Sequence, residues 1–199
     1  MPLDEWMPAW DARSAHETRV DASPERTFAA LVESDFGRNP LVVALMAVRL
    51  LPAAIVAPRR TLGRWRDAVR ARNDVAAAEP GPLAGGPFVV LSRRPPTELA
   101  FGLTGRFWTL DAALQPSDPA TFGAPPPTGY ARALWGFTLE PLEDGATRLR
   151  TETRVRAGDP ATSRTFLRYW RLIRIGSGVM RFAILRRVKR RAERGVVPG

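Results

Sequence analysis

Apolar and polar residues alternate with period two from residue 131 to 156, then recur at helical spacing from 161 to 194. Ala131, Ala133, Trp135, Phe137 and Leu139 fall on one face of a predicted strand. After Glu143-Asp144-Gly145, Leu149, Thr151, Thr153 and Val155 fall on one face of the next. A three-residue loop with Gly145 in the left-handed conformation would join them as a hairpin. That register sets Leu139 opposite Leu149, Phe137 opposite Thr151 and Trp135 opposite Thr153, so the two apolar faces lie together. The other face gathers Arg132, Arg148, Arg150, Glu152, Arg154 and Arg156. There Glu152 reads as an exposed ion-pair partner.

Asp159-Pro160 supplies a cap and a first-turn proline for a long closing helix, Ala161 to Arg194. Phe166, Trp170, Ile173, Met180 and Ile184 mark its apolar face, with Ser177 filling a turn. Leu167, Leu172, Val179, Phe182 and Leu185 widen that face, a girth that suits a helix gripped by a sheet. Gly176-Ser177-Gly178 interrupts it, for close packing or to leave room for a ligand. Ile184 is near the last inward position, so the basic end beyond Leu185 is expected to be dispensable for folding.

Upstream, His16 to Asp21 alternates as a first strand. Ser23-Pro24 then caps a helix carrying Phe28, Leu31 and Val32, ending near Glu33. Asn39-Pro40 repeats the signal before an apolar helix, Leu41 to Leu51, stopped by Pro52. Leu41 to Pro58 is too short and interrupted by Arg49 to span a bilayer. It reads as a buried helix, with a mobile lid or a lipid-touching surface as the alternatives. A third helix, Thr61 to Arg72, and an Ala/Pro/Gly-rich loop, Asn73 to Gly86, precede strands at Phe88–Leu91 and Glu98–Gly105. Phe107 to Leu110 reads as a continuation of the sheet. Gln115 to Gly129, rich in proline, reads as a loop at a sheet edge.

Together these elements predict an α+β domain: a curved antiparallel sheet wrapped around a long C-terminal helix, with two to three short helices after the first strand. Residues 1–15 are assigned to an N-terminal tail, 16–194 to one domain and 195–199 to a C-terminal tail.

Composition narrows the chemistry. The 199 residues contain no cysteine, which excludes disulfides, thiolate metal sites and a cysteine nucleophile. His16 is the sole histidine, so a Ser-His-Asp triad or a multi-histidine metal site has little material. Phosphate-loop and dinucleotide fingerprints are absent: Gly85-Gly86 runs into Pro87, not a helix. No cofactor or metal is expected. The start, Met1-Pro2-Leu3-Asp4-Glu5, lacks the basic-then-apolar order of a signal peptide, and a cytoplasmic location is expected. The net charge of +10 comes from arginine, with Lys189 the lone lysine. It reads as a compositional surface or as a site for anionic partners, membrane or RNA, through Arg186, Arg187, Lys189, Arg190 and Arg191.

Three segments resemble the SRPBCC superfamily, also called START-like, which includes polyketide cyclase/dehydrase and lipid-transfer relatives. They are Val20-Asp21-Ala22-Ser23-Pro24-Glu25 with Phe28, Gly102-Leu103-Thr104-Gly105-Arg106-Phe107-Trp108, and Thr151-Glu152-Thr153-Arg154-Val155 leading to Phe166, Tyr169-Trp170 and Ile173. The resemblance covers most of His16 to Glu193. It implies a helix-grip fold with a cavity between sheet and helix.

The leading functional expectation is therefore a binder of a small hydrophobic molecule, lipid or polyketide-like. Phe101, Leu103, Trp108, Trp135, Phe137, Trp170 and Met180 are its candidate lining residues. A cyclase or aromatase is the alternative. It would need a titratable group deep in the cavity, and Arg106, Tyr130 and Tyr169 are the available candidates. A polyanion-binding module for RNA, the ribosome or an anionic membrane is the third reading.

Overall fold

The computed structural model describes residues 2–34, 88–109 and 113–194. The predicted helices at 41–51 and 61–72, the loop at 73–86 and the tail at 195–199 lie outside the described residues. Five strands form one antiparallel sheet: β1 (Ala12–Val20), β2 (Val89–Arg94), β3 (Glu98–Gly105), β4 (Ala131–Pro141) and β5 (Thr147–Ala157). Their order is β1-β5-β4-β3-β2. Helix α1 (Pro24–Val32) follows β1, and the 34-residue helix α2 (Pro160–Glu193) closes the chain and packs on the sheet.

The local signals act as expected. The Ser23 hydroxyl accepts from the Arg26 amide at the start of α1. Asp159 accepts from the amides of Ala161 and Thr162 at the start of α2, each at 2.9 Å. In the β4–β5 hairpin, Leu139 pairs with Leu149, Phe137 with Thr151 and Trp135 with Thr153. Gly145 has φ +80°, the left-handed conformation the turn requires.

Alternation along the strands sorts side chains to two faces. On the helix side, Phe101, Phe137, Leu139 and Leu149 join Phe28 and Leu31 of α1 and Ile184, Leu185 and Val188 of α2 in the main core. A second cluster at the other end of α2 gathers Ala131, Val155 and Phe166, with Trp108 and Trp170 packed against it. The opposite face carries a third, in which Leu3 and Met7 cover Ala100 and Leu134 beside Leu91 and Phe122.

That third cluster corrects two expectations. β1 begins at Ala12, because Ala12 to Ala15 pair with Val155 to Glu152. The N-terminal segment before it folds onto the outer face, where Gly136 leaves room for Leu3. A Cβ on Gly136 would come within 2.4 Å of the Leu3 side chain. Glu152 and Arg154 are consequently buried rather than exposed. Arg13, Arg150 and Arg154 all donate to the Glu152 carboxylate, at 2.7–3.0 Å.

Two further differences concern β3 and α2. Phe107–Thr109 does not extend β3; it turns away, with the Thr109 amide donating to Arg106 O at 2.9 Å. On α2, Leu172, Ile175, Val179 and Phe182 are exposed, Leu172 by 80% and Ile175 by 73%. They form a stripe on the side away from the sheet, so the sheet grips one side of the helix only.

Beyond Leu185, Val188 and Ala192 are buried in the main core, and the Arg26 guanidinium donates to Ala192 O at 3.1 Å. The basic end is therefore part of the fold. Truncation after Leu185 is expected to lower Tm by roughly 5–10 °C, since burying one valine stabilises by about 1.5–3 kcal/mol. A melting curve unchanged by the truncation would return Val188 to the surface.

Candidate functional site

Between the two apolar clusters on the helix side, the α2–sheet interface turns polar. Ser177 and Arg181 are one turn apart on α2 and lie on the side that carries Ile184 and Val188. Across from them, β5 presents Thr151 and Thr153, and β1 presents Ser14, His16 and Thr18 at period two.

Arg181 is the centre of this layer and is only 5% exposed. Its Nη2 donates to Thr153 Oγ1 at 2.5 Å, and its Nη1 to Ser177 O at 3.2 Å and to Ser177 Oγ. The guanidinium carbon lies 5.9 Å from the centre of the Trp135 ring. All the hydrogen-bond acceptors are neutral, and Nε is buried with no partner. Burial pushes the group down to about 10.

His16 borders the same layer. Its Nε2 shares a 3.2 Å hydrogen bond with Ser14 Oγ. Burial first, and the charge of Arg181 second, hold its imidazole below the usual value, which favours the neutral form at pH 7. Gly178 passes over this ring, and a Cβ there would sit 3.6 Å from His16 Cε1, an ordinary contact. Gly178→Ala is therefore expected to stabilise α2 by about 0.5–1 kcal/mol, read as a higher Tm. A lower Tm would mean that the layer does not tolerate even a methyl group.

The seven residues expected to line one cavity divide between places. Phe101, Trp135 and Phe137 lie in the main core, with the half-buried Met180 packed against it. Trp108 and Trp170 lie in the second cluster and both pack on Phe166, with ring centres 6.1 and 5.8 Å from it. Leu103 is half-buried and opposite Ala133. The three tryptophans thus flank the polar layer from both ends instead of meeting.

Of the candidate acid–base groups, Arg106 stacks on the Tyr130 ring at 4.7 Å and donates to Gly129 O, forming a surface pair. Tyr169 packs against Phe166. None belongs to the polar layer. In the basic run, Lys189 is held by Glu193 and Asp21, and Arg191 by Glu33, while Arg186 stacks on Phe182. Among the described residues no group of acids and histidine could hold a metal ion, and no helix is long and apolar enough to cross a membrane.

Arg181 escaped the sequence reading, although one signal was present. It stands four residues after Ser177 and three before Ile184, both on the predicted inward side.

No protein-family model matches the chain, and no curated protein is significantly similar to it. Among solved structures, the crystal structure of TTHA0849 from Thermus thermophilus is similar, with a TM-score of 0.32 and 10% identity. The match covers 91% of this chain and 97% of that one.

Proposed function

We propose that the protein binds a small hydrophobic molecule between the sheet and α2, as a START-like, helix-grip binder. One observation carries the reading. The apolar packing on the helix side is split in two, and large side chains flanking the split stay half-buried: Leu103, Trp108, Trp170, Ile173 and Met180. A core built only for stability would close over such side chains, because interiors pack to crystal-like density. Gly176 and Gly178 remove further volume at the same level of α2. Native mass spectrometry of the protein purified from its own host tests the proposal. A copurifying apolar molecule, displaced by a long-chain probe that changes tryptophan emission, supports it. Bare protein that binds no apolar probe rejects it.

Contact with an anionic membrane is a second reading, favoured by the exposed stripe of Leu172, Ile175, Val179 and Phe182. Exposed Arg164, Arg168, Arg171 and Arg186 border it, giving the basic amphipathic pattern of an interfacial helix. Salt-sensitive binding to phosphatidylglycerol vesicles but not phosphatidylcholine vesicles, lost in Val179→Asp, is the expected result.

A further inference from the structure

We infer that the ligand carries a carboxylate and that Arg181 is its recognition residue inside the helix–sheet interface. This rests on the hydrophobic-ligand reading above and adds the chemistry of the ligand's head.

A guanidinium has five N–H donors and one full charge. Arg181 spends its donors on a serine and a threonine, and its Nε–H donates to nothing. Nη2 carries two hydrogens and makes one hydrogen bond, to Thr153. No carboxylate pairs with Arg181 among the described residues. Elsewhere the chain does supply acids to arginine. Arg13, Arg150 and Arg154 share Glu152, and even exposed Arg19, Arg148 and Arg191 have partners. The Glu98 carboxyl group, buried with no hydrogen-bond partner, cannot compensate. Period two along β3 puts Glu98 with Ala100 on the outer face, across the sheet from Arg181.

A buried charge without a counter-ion is costly, and a fold keeps one where something else supplies the opposite charge. The planar edge of a guanidinium matches a carboxylate. A monoanion suffices, because Arg181 is the one cation of the layer among the described residues and neutral His16 adds no second charge. Trp135 and Met180 offer apolar surface beside it for a hydrocarbon body. A carboxylate on an apolar chain is the ligand this combination fits.

The experiment compares dodecanoate with 1-dodecanol at pH 7.5, by quenching of tryptophan emission, in the full-length wild type and in Arg181→Met. Wild type is expected to bind the acid at least about tenfold more tightly, the scale of hydrogen bonds to a charged group. Arg181→Met is expected to bind both probes alike. Its Tm should equal or exceed the wild-type value, since the substitution removes an unpaired buried charge. Equal affinity of wild type for the two probes overturns the inference while leaving hydrophobic binding intact. Preference for the acid that survives in Arg181→Met overturns the assignment to Arg181. Binding of neither probe to wild type overturns this inference together with the ligand-binding reading. The acid-versus-alcohol comparison in wild type decides even where the variant does not fold.

Discussion

Glu152→Gln is expected to destabilise the protein by about 3–5 kcal/mol, read as a lower urea midpoint at unchanged slope. Glu152 is 2% exposed and Arg154 is 1% exposed. Arg13 grips the carboxylate with Nε and Nη2, Arg150 donates at 2.9 Å and Arg154 at 2.7 Å. Arg154 in turn donates to Asp4 and to Met7 O, tying the N-terminal segment onto the outer face. Glutamine keeps the shape but removes the charge that three guanidinium groups share. Arg154 would then remain buried with only a half-exposed Asp4 opposite it. Loss of the segment would also uncover Leu3 and Met7, which adds an apolar penalty in the same direction.

The same residue gives stability a pH dependence with a definite sign. Burial pushes the Glu152 carboxyl up, but hydrogen bonds from Arg13, Arg154 and Arg150 outweigh it and hold the group at about 2. A folded-state value below the unfolded one stabilises fully above about pH 4.5. That contribution fades as pH falls toward 2. Wild type should therefore lose more stability than Glu152→Gln over that interval. Asp159, also held at about 2 by its hydrogen bonds to Thr162 and Gly129, titrates in both proteins and cancels in the difference. Parallel acid-denaturation curves for the two proteins would show that the Glu152 cluster is hydrated and contributes little.

The contrast between Glu152 and the β4–β5 hairpin shows what was legible in the residues. Hairpin register follows from a local glycine turn and period-two alternation, both written within about 25 residues, and every predicted pair formed. The helix caps at Ser23 and Asp159 are local too. What covers the outer face is not local. Leu3, Trp6 and Met7 have no strong period, and their partners Ala100 and Leu134 stand about a hundred residues away. With no sign of that cover, a row of arginines around Glu152 reads as a solvated face. The error on α2 has the same origin. An apolar stripe records helical spacing but not which side has a partner, so Leu172 and Phe182 read as inward yet are exposed. Arg181 is hard to read for the converse reason: a charged side chain at an inward position contradicts the usual pattern. Such contradictions tend to mark functional positions.

Trp135→Ala is expected to cost about 3–5 kcal/mol, with the loss visible in Tm and in the urea midpoint. The ring lies 5.4 Å from Phe137 and 6.4 Å from Phe88 and is 9% exposed. Its Nε1–H donates to Thr151 Oγ1 at 2.8 Å, and Thr151 donates onward to Gly136 O at 3.2 Å. Alanine would remove the packing and the donor and take away the aromatic face beside Arg181. Trp135→Phe separates these effects. It keeps most of the ring volume and loses the hydrogen bond, so its cost should stay near about 1–2 kcal/mol. Should the ring instead line open space, it has little packing to lose there. Alanine would then destabilise by less than about 1 kcal/mol and mainly weaken probe binding. The two substitutions therefore assign Trp135 either to the core or to the ligand wall. Its packing in the main core, even as it meets the polar layer at Thr151 and Arg181, puts the expected result on the side of the core, with Arg181 the specific contact.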